Sequence, residues 1–145
     1  MDSATRAPWH LWVVGIVTLL WNGFGANDYT QTQLRNMDYL NSMGYPQAGI
    51  DYLDQFPAWA EAGWALGVWG AVMGSVLLLL RSRFAVWSFV ISLIGIALTT
   101  VYEAGADMPA ELAEMQPGWF PILLWGLAIF QLWYAWSMKK KGVLR

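Results

Sequence analysis

The sequence contains no cysteine, and histidine occurs once, at His10. Without thiols there is no disulfide-stapled ectodomain, no thiol redox centre and no thiolate metal site. One imidazole cannot supply two axial haem ligands within a subunit, nor a histidine-rich metal centre. Charge is also scarce, at 12% of 145 residues, where soluble domains carry about 25%. No glycine-rich phosphate loop, no H-E-x-x-H, no G-x-S-x-G and no strand alternation occurs. These absences leave the chain non-catalytic on expectation, with no cofactor, no metal and no nucleic-acid partner.

What replaces charge is long apolar runs, with 57% hydrophobic residues overall. A spanning helix needs roughly 20 mostly apolar residues, and four segments qualify, at about 9–27, 58–80, 84–102 and 119–138. The expected fold is all-α: one membrane domain, 1–145, built as a four-helix bundle. The second and third spans are separated by Arg81-Ser82-Arg83, which permits only a tight hairpin.

Basic residues mark the cytoplasmic side of a span. Arg6, Arg81, Arg83, Lys139, Lys140, Lys141 and Arg145 fall on one side, and only Arg35 on the other. Asp28, Asp38, Asp51, Asp54, Glu61, Glu103, Asp107, Glu111 and Glu114 fall opposite the basic set. Both termini are therefore expected in the cytoplasm, with Lys139, Lys140 and Lys141 in the tail 139–145 anchoring the last helix at the headgroups. Arg6 and Gly25-Ala26 would suit a cleaved signal, but the long Trp-rich stretch argues for a retained span.

Residues 28–57 form the largest expected segment outside the bilayer. Thr30 and Gln33 suit a capping box, which predicts a short amphipathic helix from about Gln31 to Ser42 with Leu34, Met37 and Leu40 inward. Gly44 and Pro46 stop it, and a further turn or two is expected over Ala48 to Gln55, with Ile50 and Leu53 inward. The segment is either a lid on the helix ends or a docking surface for a partner. The second outer loop, 103–118, is short and acidic.

Small residues form two stripes. Gly63, Gly67, Gly70 and Gly74 share one face of the second span, and Ser88, Ser92, Gly95 and Thr99 share one face of the third. Such faces let backbones approach closely. They pack on each other within one subunit, or one of them serves a homo-oligomer or a larger complex. The first span has a related face in Gly15, Thr18, Asn22 and Gly25 or Ala26.

An ionisable group deep in a bilayer marks function by default, but here the acids sit at outer helix ends. Asp28, Glu61 and Glu103, with Asn22, Asn27 and Tyr102 nearby, make the best polar constellation. It reads as an outward pocket for a cation, proton or polar solute, or as hydrated interfacial groups. Glu61 follows Pro57 in a first helical turn, where the dipole alone accounts for it. Gln131 suits a hydrogen bond across a helix interface. Of eleven tryptophans, Trp9, Trp12, Trp59, Trp119, Trp133 and Trp136 suit interfacial belts. Trp21, Trp64, Trp69, Trp87 and Trp125 lie deeper and suit a packed core or a ligand site.

Arg6-Ala7-Pro8-Trp9-His10, Leu20-Trp21-Asn22-Gly23, Asp28-Tyr29 and Pro57-Ala58-Trp59 together resemble small four-span bacterial inner-membrane proteins often labelled as sugar transporters. The resemblance implies that membrane and, among solutes, a sugar; it carries no residue roles. Three functions follow from the residues: an accessory subunit of a larger membrane complex, which the missing chemistry favours; an oligomeric small-solute carrier or channel; and a membrane enzyme using the outer carboxylates. Partners are the bilayer and either other subunits or further copies of the chain.

Overall fold

The computed structural model describes residues 6–115 and 118–145. The described residues form seven helices: α1 (Trp9–Gln33), α2 (Met37–Ser42), α3 (Gln47–Asp54), α4 (Ala58–Leu79), α5 (Ala85–Gly105), α6 (Ala110–Met115) and α7 (Phe120–Lys140). Four of them, α1, α4, α5 and α7, are long and apolar enough to cross a membrane. The chain is thus a multi-pass membrane protein whose helices contact lipid. It is an all-helical bundle, with the short helices α2 and α3 between the first two spans.

Helix α1 runs six residues beyond the expected Asn27. The expected capping box does not form, because the Thr30 hydroxyl donates back to the Ala26 carbonyl at 2.8 Å and lets the helix continue. The stop is a Schellman turn: Arg35 N–H bonds Thr32 O, Asn36 N–H bonds Gln31 O, and Arg35 takes the left-handed φ of 52°. Asn36 then caps α2, accepting from Tyr39 N–H. The shifted start changes which residues face inward. Leu40 is buried, but Leu34 and Met37 are exposed, contrary to the expectation for a helix from Gln31. Helix α3 starts after Pro46 and does bury Ile50 and Leu53.

The α4–α5 hairpin turns through a second arginine-centred Schellman motif, with Arg81 at φ 58°. The two small-residue stripes then meet. Ser88 Oγ donates to Gly70 O at 2.7 Å, and Ser92 Oγ donates to Gly67 O at 2.6 Å. A Cβ on Gly95 would lie 2.4 Å from both Gly63 O and Gly67 N, so no side chain fits there. On the face of α1, Gly15 admits the Leu79 side chain, and Thr18, Asn22 and Ala26 are buried in turn along it.

The helix ends differ sharply. At the basic end, Leu11, Leu78, Phe89, Tyr134, Ala135 and Met138 form one buried cluster. His10 Nδ1 hydrogen-bonds the Tyr134 hydroxyl, joining α1 to α7. After α7 the chain turns at Gly142 and sends Val143 and Leu144 into the same cluster. Arg145 N–H bonds Arg81 O at 2.8 Å, and Arg83 N–H bonds Arg145 O at 3.2 Å, which ties this segment to the α4–α5 turn. Every buried residue of α7 lies in its basic half, from Gln131 onward. The acidic end is therefore not filled by α7.

Candidate functional site

Between the four long helices, the unfilled acidic half holds a partly open cavity of about 750 Å³. Drug-sized ligands occupy pockets of about 300–1,000 Å³. Along α5 the lining extends from Phe89 to Glu103, about 20 Å of helix at 1.5 Å per residue. The walls are largely aromatic and aliphatic, with Trp21 from α1, Trp64 from α4, and Phe120 and Trp125 from α7. Tyr45, Tyr52 and Phe56 from the segment between the first two spans, with Leu112 of α6, cover the acidic end. This segment is a lid, pinned where the Tyr39 hydroxyl donates to Asp28 Oδ1 at 2.7 Å and where Arg35 pairs with Asp54 at 2.8 Å. The second contact is largely exposed and adds little stability.

The base of the chamber is polar. Asn22 Nδ2 lies 2.8 Å from Gln131 Oε1, 2.9 Å from Ser75 Oγ and 3.1 Å from Ala71 O. Ser75 Oγ also meets Thr18 Oγ1 at 2.9 Å. One asparagine thereby joins α1, α4 and α7 midway along the spans, where unmet amide groups would be expensive. Asn22 and Gln131 both border the cavity, so the network is its floor. In Asn22→Leu, Gln131→Leu and the double variant, the two changes should couple by about 1 kcal/mol, within the range for hydrogen bonds between membrane helices. Denaturant unfolding in mixed micelles measures this, and additive losses would mean that the two amides do not touch.

The six residues of the sequence constellation separate. Asn22, Asp28 and Glu103 line the chamber, at its floor and its acidic end. Asn27 is exposed on α1 and lies outside the lining. Glu61 sits in the first turn of α4, also outside it. Tyr102 belongs to an aromatic cluster behind the wall, with ring centroids 4.6 Å from Phe56 and 5.8 Å from Trp59. The deep tryptophans divide too: Trp21, Trp64 and Trp125 face the chamber, while Trp69 and Trp87 are exposed on the surface of the bundle. Lys139, Lys140 and Lys141 close α7 at the basic end, with the Lys140 ammonium 4.3 Å from the centre of the Trp136 ring.

The lid phenols stay protonated well above neutral pH. The hydrogen bond to the Asp28 carboxylate pushes Tyr39 up to about 12. Burial, reinforced by the Glu103 charge, pushes Tyr52 up to about 12. Tyr45 is raised by burial and by both Asp28 and Glu103, so this one phenol feels both carboxylates. Sequence reasoning missed Ser75 and, in the lid lining, Tyr45, Tyr52 and Phe56, although it placed Leu53 inward. The Thr18–Asn22 spacing on one helical face was the available signal for the floor.

No family model, curated protein or solved structure matches this chain.

Proposed function

We propose that this protein binds and carries a small solute in the inner membrane of a bacterium, with the acidic end facing outward and both helix-terminal basic segments in the cytoplasm. The observation behind this reading is the chamber, which reaches from Asp28 and Glu103 at one end to the Asn22–Gln131 floor midway along the spans. A cavity of ligand size supports this reading over that of an accessory subunit, which would work through outward packing faces. A cavity of about 750 Å³ bordered by one subunit supports solute binding by a single copy. The distribution of arginine and lysine supports the orientation. A polar floor under apolar walls suits a solute with a polar end, held reversibly and without covalent chemistry.

The absence of cysteine makes the test direct. Ala128 lines the chamber, and Ala128→Cys would be the only thiol in the chain. In oriented vesicles a small membrane-impermeant thiol reagent should label it from the acidic side at least tenfold faster than from the basic side. Equal protection from both sides would remove the open chamber. Mass measurement of the gently extracted particle separates the accessory reading, which requires other subunits in fixed ratio.

A further inference from the structure

Away from the chamber, the basic halves of α5 and α7 leave a groove of about 390 Å³ on the surface of the bundle. Val86 and Val90 of α5 line one side of it, and Ile129, Leu132, Trp133 and Trp136 of α7 the other. Steps of three, one and three keep the α7 residues on one helical face. The helix turns Gln131, Tyr134, Ala135 and Met138 inward, so the groove lies on its outer side. Ile129, Trp133 and Trp136 are exposed there, on a helix apolar enough to cross a membrane. From Ile129 to Trp136 the groove follows about 10 Å of helix, against about 15 Å for the hydrocarbon of one leaflet. Its depth and apolar walls suit an acyl chain.

Charge marks the end of this groove that lies toward the headgroups. The Lys140 ammonium lies 4.3 Å from the centre of the Trp136 ring, which brings a cation onto a side chain of the groove wall. Lys140 makes no ion pair among the described residues, and the Asp and Glu side chains described all belong to the acidic end. Arg83, in the turn before α5, is a second exposed cation at the basic end.

We infer that the groove is a site for one anionic phospholipid of the leaflet at the basic end, with an acyl chain along Val90, Ile129 and Trp133 and its phosphate against Lys140. Basic residues between membrane helices recognise lipid headgroups in this way. A zwitterionic head would add an ammonium group to a surface that offers it no Asp or Glu. A second copy of the chain, inserted the same way, would set like charges beside Lys140. Val86 belongs both to the groove and to the buried cluster at the basic end, so the lipid would brace that cluster from outside. The site is separate from the chamber and does not depend on what the chamber binds.

The test exchanges the gently extracted full chain into an equimolar mixture of phosphatidylglycerol and phosphatidylcholine with identical chains, and weighs the intact particle. One phosphatidylglycerol per chain should be retained, with a preference of about tenfold or more over phosphatidylcholine. Lys140→Gln should lower that preference about fivefold, the worth of one basic residue near an anionic headgroup. Lys141→Gln removes the same charge one residue further on, and should change the preference less than about twofold. Both lysines are exposed, so both variants should fold as the parent does. Phosphatidylglycerol with a photoreactive diazirine in its chain should crosslink to the peptides that hold Val90 and Trp133. Equal retention of the two lipids, or equal effects of the two lysine variants, would overturn the headgroup assignment. Crosslinks spread evenly over the four spans would overturn the site and leave only a general lipid coat.

Discussion

Gly95→Ala should destabilise the folded bundle by at least about 3 kcal/mol, the upper range for overpacking, although it adds a single methyl group. The new Cβ would lie 2.4 Å from Gly63 O and Gly67 N, and both are backbone atoms that cannot rotate away. Relief would require α4 and α5 to separate. Separation would also lengthen the Ser92–Gly67 and Ser88–Gly70 hydrogen bonds, now 2.6 and 2.7 Å. The same substitution elsewhere should behave differently. At Gly67 the nearest atom is the Ile96 Cγ1 at 3.4 Å, an ordinary contact, so Gly67→Ala should change stability by less than about 1 kcal/mol. At Gly23 nothing lies within 4 Å, and Gly23→Ala should be neutral or stabilising by up to about 1 kcal/mol through helix propensity. Unfolding midpoints of the three variants in mixed micelles test the gradient. Three equal losses would mean that glycine matters here through flexibility; three negligible losses would place the stripes against something other than each other.

That gradient shows how far the sequence can be read. Glycine spacing identifies a face, because four-three-four steps return to one side of a helix whatever the neighbour is. It does not reveal that Gly95 is the contact point and Gly67 has slack, since that depends on the axial offset of α4 against α5. The four spans were equally legible from apolar length and basic flanks. The end of α1 was not. Its last two turns are Asp28 to Gln33, polar residues that fit a helix or a loop, and the stop lies at Arg35, a left-handed residue where glycine is the usual signal. The chamber was only half legible. Asn22, Asp28 and Glu103 stood out as polar groups near a membrane, but which acids share a cavity is set by helix rotation, and Glu61 turned away from the others. Trp21 and Trp69 look alike in sequence; one faces the cavity and the other faces outward.

With the lid over the acidic end, a carrier site also needs its basic end closed, and the buried cluster that holds Val143 and Leu144 lies there. Leu144→Asp should therefore have two effects. The first is on stability. Leu144 is 5% exposed among apolar neighbours that include Leu11, Leu78 and Met138. Losing its burial removes about 2 kcal/mol, and placing a carboxylate there adds a desolvation penalty of similar size, so the total loss should be roughly 4 kcal/mol. Leu144→Met keeps volume and polarity and should stay within about 1.5 kcal/mol. Arg145→Ala should be close to neutral, because Arg145 contributes its backbone N–H and C=O to the α4–α5 turn and its side chain is exposed. The second effect is on access. With Val143 and Leu144 displaced, water reaches Tyr134 and Phe89, and Phe89 also borders the chamber floor. The thiol of Ala128→Cys, shielded from the basic side in the parent, should then label from both sides in the Leu144→Asp background. If stability falls but labelling stays one-sided, the seal lies deeper, in the Asn22–Gln131 layer. If labelling becomes two-sided while the bundle stays folded, these residues of the final segment are the inner gate of the chamber.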